Sequence, residues 1–328
     1  MRTRTLPSLL LAAALTALAA AGAAAKDSGL VFVSSEKDHA VTLLDANTLE
    51  PRGSIATCKR PRHMQLLSGR EQLLVLCSDS NAAELIDIAM RKAVRRVPMP
   101  ENPEILDLSA DGRLVFVSVE DEGELAVVEL ASGKVVRRTK VGNEPEGVKL
   151  APDGKRVFVT SEVANMVHVV DAGSGAVQKN IVVGKRPRRF AFNADASELW
   201  VSNELAASVS VIDLATLAVK QTVAFEIKGL RAADITPVGL ALARDGRTMF
   251  VTLGRANHVA FVDTASKKVE RTVLAGKRAW GLALSRDGTR LFVANGLSDD
   301  LTVIDVARGS AIRTVPVGRV PHTVVVDD

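Results

Sequence analysis

Between Gly147 and Val183 the hydrophobic positions fall into four short runs, Gly147–Leu150, Arg156–Thr160, Met166–Asp171 and Val177–Val183, each rich in β-branched residues. Turn-forming residues separate them: Pro152-Asp153-Gly154, Ala164-Asn165 and Gly173-Ser174-Gly175, with Gly184-Lys185-Arg186-Pro187 closing the set. Helical spacing is absent. Runs of this length, punctuated in this way, predict strands linked by hairpins.

The pattern then repeats. The acidic residue that ends the third run falls at Asp45, Asp87, Glu129, Asp171, Asp213, Asp263 and Asp305, in steps of 42, 42, 42, 42, 50 and 42. The proline position of the G-x-x-P turn falls at Pro61, Pro103, Pro145, Pro187, Pro237, Ala279 and Pro321, with one step of 50 among steps of 42. Two anchors thus agree on seven copies and one eight-residue insertion. Four strands in roughly 40 residues is the period of a β-propeller blade. The chain opens on a second-strand pattern, Leu30–Val33, and closes on a first-strand pattern, His322–Val326. Pairing these two would close the ring and leave no open sheet edge there. The expectation is an all-β, seven-bladed propeller of four-stranded blades, closed by the C-terminal strand joining blade one.

The repeated residues are G-x-x-P, then D-G, then a strand such as Arg156-Val-Phe-Val-Thr160 or Leu199-Trp-Val-Ser-Asn203, then V-x-V-[IV]-D. Leu291-Phe-Val-Ala-Asn295 departs from this at Ala294. These units resemble the YVTN family of β-propeller repeats over essentially all of 30–326. A short exported chain of seven such units also resembles the propeller proteins associated with PQQ-dependent alcohol catabolism and its ABC-type transport operons. That resemblance implies an accessory periplasmic role rather than a defined reaction.

The first 25 residues lie outside the repeats. Arg2 and Arg4 precede a largely apolar run, Leu9–Ala21, and a small-residue site, Ala23-Ala24-Ala25. This predicts a cleaved secretory signal peptide over 1–25, a single propeller domain over 26–328, and a periplasmic location. No later run is long enough for a membrane-spanning helix. Of 42 basic and 38 acidic side chains, the two arginines of the leader account for half the formal charge of +4. The balance that remains, and 3% aromatic content without tyrosine, give no footprint for nucleic-acid binding. A monomer is expected.

Candidate chemistry clusters at one end of the ring. In a propeller the loop into each first strand shares a face with the loop between the second and third strands. The residue after the proline position reads Arg62, Glu104, Glu146, Arg188, Val238, Trp280 and His322 around the ring. Beyond the second strands stand Glu36, Asp79, Glu120, Glu162 and Glu204, with glycines in the last two blades. This predicts a polarised funnel, in which Arg62, Arg188, Arg189 and Arg278 pair with the carboxylates of a small anionic ligand such as PQQ and Trp280 stacks on a planar ring. Solvated surface ion pairs, each worth little, are the plainer alternative. The insertion, Phe225–Thr236, carries Arg231 and Asp234 on the same face, as a lid or docking flap.

His63, His322, Glu36 and Asp79 are residue types that could hold a transition metal, with His39 nearby. His168 and His258 fall on third strands and read as structural. Cys58 and Cys77 are a candidate disulfide in an exported chain. There is no G-x-S-x-G elbow and no C-x-x-C-H haem site. Quinoprotein dehydrogenases, longer and with adjacent cysteines, are not matched by two cysteines 19 residues apart. The leading reading is a non-enzymatic binding or accessory propeller. The alternatives are a lactonase-like or metal-dependent hydrolase using His63, His322 and Glu36, and a scaffold that docks a periplasmic protein partner.

Overall fold

The computed structural model describes residues 27–328, so the expected leader lies outside the described residues. Seven four-stranded antiparallel sheets are arranged in sequence order. Blade four shows the unit: Pro145–Leu150, Arg156–Ser161, Met166–Asp171 and Val177–Val182. In blade one the C-terminal strand Pro321–Asp327 pairs with Leu30–Ser35, which pairs with Ala40–Asp45 and then Pro51–Ala56. The ring closes as the pattern at its two ends requires.

The first strand of each blade lies innermost. These are Pro61–Leu66, Pro103–Leu108, Pro145–Leu150, Pro187–Phe192, Pro237–Leu242, Ala279–Leu284 and Pro321–Asp327. Each begins at the proline position, two residues earlier than the hydrophobic run suggests, because pairing spans a bulge. In blade four Pro145 pairs with Ser161 and Val148 with Val159, with a register shift between them. A bulge re-aims the side chains it contains.

Adjacent blades are tied at that bulge by the hydroxyl of the repeated V-[ST] pair. Ser34, Ser118, Thr160, Ser202 and Thr252 donate to the carbonyls of Arg62, Glu146, Arg188, Val238 and Trp280, each in the next blade, at 2.6–3.2 Å. The close approach also explains Gly147, Gly239 and Gly281. A Cβ on any of them would collide with the carbonyl of the neighbouring blade's ring residue. Hydrophobic cores fill the spaces between sheets, with Phe32, Phe158, Trp200, Phe250 and Phe292 fully buried. The outermost strands are largely polar and exposed. Among the described residues no helix is long and apolar enough to cross a membrane.

Candidate functional site at the channel mouth

The seven residues after the proline position form a collar around the axis. Arg62 contacts Glu104 and approaches Glu146 at 3.7 Å and Glu36 at 3.5 Å. Arg188 meets Glu146 at 3.4 Å and Glu204 at 2.7 Å and also contacts Glu162. Arg189, one residue deeper, reaches Glu146 at 2.6 Å. The arginines expected to await an anionic ligand are therefore already neutralised by carboxylates of the same ring. Only Arg278 among them lies outside ion-pair distance of any carboxylate among the described residues; its guanidinium lies 4.3 Å from the centre of the Trp280 ring. Trp280 is 5% exposed, with Arg188 5.4 Å from its centre, so it is a wall of the collar and not an open stacking platform.

The electrostatics follow from this packing. Burial raises the Glu146 carboxyl, but Arg189, Arg188 and Arg62 outweigh burial and hold it well below the usual carboxylate range. Burial lowers the Arg188 pKa, but Glu146, Glu204 and Glu162 override it and raise it above its ordinary value. Glu120 differs. It has Asn102 at 3.2 Å as its hydrogen-bond donor, and burial together with Glu146 raises its pKa.

The acidic arc is also one residue out of register in blade two. Glu36, Glu120, Glu162, Glu204, Gly254 and Gly296 each donate a backbone N–H to the carbonyl of the residue before the proline position. In blade two Ser78 makes that bond, to Arg60. Asp79 sits at the exposed loop tip, 3.4 Å from Arg60. Serine carries no charge for a pattern search to find.

The four candidate metal ligands are not brought together. His63 and His322 line the axis, Glu36 lies against Arg60 and Arg62, and Asp79 is on the rim. Among the described residues Cys58, Cys77 and Glu84 alone form a group of three with ligating atoms within 4.8 Å. The two cysteines are bonded to each other, with Cα atoms 5.8 Å apart. His39 has a structural role. Its Nδ1 accepts the Arg60 N–H at 3.1 Å, as the side-chain oxygens of Asn81, Asn165, Asn257 and Asp299 do for Asn102, Arg186, Arg278 and Val320. Arg231 is exposed on the insertion and pairs with Asp234 at 2.7 Å, outside the collar.

Below the collar the seven inner strands enclose an axial cavity of about 310 Å³. Its wall includes His63, Gln65, Asp107, Lys149, Arg189, Trp280 and His322 beside aliphatic side chains. His63 Nδ1, Gln65 Oε1 and Trp280 Nε1 are buried without a hydrogen-bond partner among the described residues. Burial and then Arg189 lower the His63 pKa to about 3; burial, Arg62 and Arg189 lower that of His322 well below 6.5. Burial favours the neutral form of both rings. Gln65 and Lys149 went unnoticed in the sequence because each sits four residues past its proline, where only the bulge and strand twist define the axial side. Nothing in the repeat pattern marks them.

The comparisons with known proteins agree with this architecture. A family model described as choice-of-anchor I domain matches residues 62–317, and that description points to a surface or exported protein. No curated protein matches the sequence. Among solved structures, the periplasmic gluconolactonase PpgL of Pseudomonas aeruginosa is 22% identical, with a TM-score of 0.76 over 91% of this chain and 99% of that one. The hydrazine synthase of Kuenenia stuttgartiensis is 20% identical, with a TM-score of 0.75 over 86% and 93%. The dihydro-heme d1 dehydrogenase NirN is 17% identical, with a TM-score of 0.70 over 90% and 75%. At these identities the likeness is one of fold.

Proposed function

The chain belongs to the choice-of-anchor I domain family, and from that premise we propose that it is an exported, non-enzymatic binding propeller built of YVTN-like repeats. A periplasmic accessory role in PQQ-dependent alcohol oxidation rests on the resemblance of the repeats. The observation that supports a binding role is the set of buried polar atoms without partners on the axial cavity, His63 Nδ1, Gln65 Oε1 and Trp280 Nε1. Buried polar groups are costly unless hydrogen-bonded. A cavity near the lower end of the usual ligand range, with both donors and acceptors, suits a small oxygen-rich molecule such as a short polyol, a hydroxy acid or its lactone.

PQQ itself fits the site poorly. A planar tricarboxylate needs several free cations and an open ring face. Arg62, Arg188 and Arg189 are engaged, and Trp280 is buried. The site therefore favours a smaller ligand, with PQQ chemistry left to a partner enzyme.

The test is a thermal-shift screen of the folded protein against short polyols, hydroxy acids, lactones, PQQ and divalent metals with and without chelator. A ligand at about 100 times its Kd adds about 2.7 kcal/mol to stability. A saturable shift with a small polar compound, lost in Trp280→Phe and Gln65→Leu, supports the proposal. A shift with metal that chelator reverses, or turnover of a lactone, moves the assignment to a metal-dependent or lactonase-like hydrolase. No shift with any compound leaves a protein-docking scaffold as the reading.

A further inference from the structure

Arginine stands before the proline position in three blades, as Arg60, Arg186 and Arg278, with left-handed backbone at φ 58°, 55° and 59°. A side chain there meets the loops after two second strands, that of the preceding blade and that of its own. Arg186 pairs with Glu162 at 2.5 Å and Glu204 at 3.4 Å in those loops. Arg60 lies 3.5 Å from Glu36 and 3.4 Å from Asp79. For Arg278 the two equivalent residues are Gly254 and Gly296. Their N–H groups donate to the Thr236 and Arg278 carbonyls, as those of Glu162 and Glu204 do to the Glu144 and Arg186 carbonyls. Both carboxylates are thus missing. The Arg278 guanidinium is left over the Trp280 ring with no carboxylate at ion-pair distance among the described residues. Burial lowers its pKa, Glu204 and Glu36 oppose that from farther away, and Arg188 and Arg255 add to it.

The two glycines have different causes. A Cβ at 254 would lie 2.9 Å from Thr236 Oγ1, so crowding accounts for Gly254. A Cβ at 296 would meet nothing nearer than the Pro321 carbonyl at 3.5 Å, and Gly296 is not left-handed. Neither packing nor backbone requires glycine at 296. Beside it lies a hollow of about 160 Å³, with Arg60, Arg62, Arg278, Glu36 and Gly296 among its walls. Arg62 is 7% exposed, and its Nε is buried without a hydrogen-bond partner among the described residues. The charges here are mixed. Glu36 stands 3.5 Å from both Arg60 and Arg62, and those two arginines also share Glu104. Asp299, beyond Gly296, accepts the Val320 N–H at 2.9 Å. Arg278 alone is left without a counter-charge. We propose that the hollow binds a small monocarboxylate, held by Arg278 in place of the glutamate that the repeat omits at 296, with the Arg62 Nε–H as a second donor. Guanidinium forks suit carboxylates. One free cation matches a single negative charge, and Glu36 disfavours a second. Trp280 and His322 line this hollow as well as the axial cavity, but the proposal does not depend on a ligand in that cavity.

The test is isothermal titration of the folded protein at low salt with lactate, with its neutral amide lactamide, and with sulfate. The expected result is saturable binding of lactate alone, weakened about tenfold or more by Arg278→Gln. Gly296→Glu should abolish it, because the chain then supplies the carboxylate itself. That variant should also hold or raise the parent Tm, since it pairs Arg278. If it does not fold, Arg278→Gln decides alone, because that side chain is partly exposed and unpaired. No binding of lactate, or affinity unchanged in Arg278→Gln, overturns the proposal. So does equal binding of lactamide or tighter binding of sulfate. Lactate binding that Gln65→Leu removes and Arg278→Gln keeps would place the acid in the axial cavity, overturning this site while supporting the axial one.

Discussion

Glu146 and Arg188 hold the same position in neighbouring blades, and their side chains meet at the channel mouth at 3.4 Å. The reversal from Glu-Pro-Glu at 144–146 to Arg-Pro-Arg at 186–188 is thereby explained. A propeller sets equivalent residues of adjacent repeats side by side, so opposite charges at one repeat position become an ion pair. Arg186 completes the pattern, reaching Glu162 and Glu204 at 2.5 and 3.4 Å.

Glu146→Gln should be costly. It removes the one carboxylate shared by Arg62, Arg188 and Arg189 and leaves buried guanidinium charge unbalanced. Breaking a buried pair costs about 3–5 kcal/mol, whereas Glu50→Gln, which breaks the exposed pair with Arg313, should cost under about 1 kcal/mol. Urea denaturation of the two variants measures the contrast. Equal midpoints would mean that the collar is as solvated as the surface.

Acid should destabilise the fold before the carboxylates titrate. His63 and His322 are held neutral by burial and by Arg189 and Arg62, with folded pKa values below 6.5. Unfolded histidine titrates near pH 6.5, so below that pH unfolding takes up protons. Their contribution is complete above about pH 6.5 and is lost as pH falls toward the folded values, at about 1.4 kcal/mol per pH unit for a buried ring such as His322. Glu146, whose folded pKa is depressed, adds its loss only below about pH 4.3. Stability measured at about pH 7.5 and about pH 5.5 should show a slope that His322→Gln flattens; a parallel slope in that variant would refute the assignment.

Reduction should loosen blade two. The Cys58–Cys77 bond closes a loop with a sequence separation of 19, worth about 3 kcal/mol by loop entropy. It anchors the turn entering the blade to the end of the second strand, where the Cys58 N–H also donates to Glu84 at 3.0 Å. Cys58→Ala/Cys77→Ala should lower the urea midpoint to that of the reduced parent. The oxidised, denatured parent should titrate no free thiol.

Val320→Asn should stabilise. The residue before the proline position is left-handed in every blade, and Val320 adopts φ 53° there. A β-branched residue is strained in that region, while asparagine tolerates it. The gain should be about 0.5–1 kcal/mol, read as a rise in Tm. No gain would mean that the valine's packing offsets its backbone strain.

The sequence by itself determined the ring. Strand runs, turn residues and a 42-residue period are local signals, and they specify seven blades, the closing strand and the place of the insertion. It also placed Arg62, Glu104, Glu146, Arg188, Trp280 and His322 at one level of the axis, because equivalent repeat positions must share a level. What it could not say was whether those groups wait for a ligand or satisfy one another. That depends on distances across the channel between residues separated by one, two or six blades, such as Arg62 and His322, 3.4 Å apart although 260 residues apart in sequence. The unpartnered atoms of Gln65 and Trp280 are likewise a property of the closed ring, since burial exists only once all seven inner strands are in place. Local pattern fixes which residues form the collar; only tertiary packing decides which deeper groups, such as Gln65 and Lys149, face the axis and which of them remain without partners there.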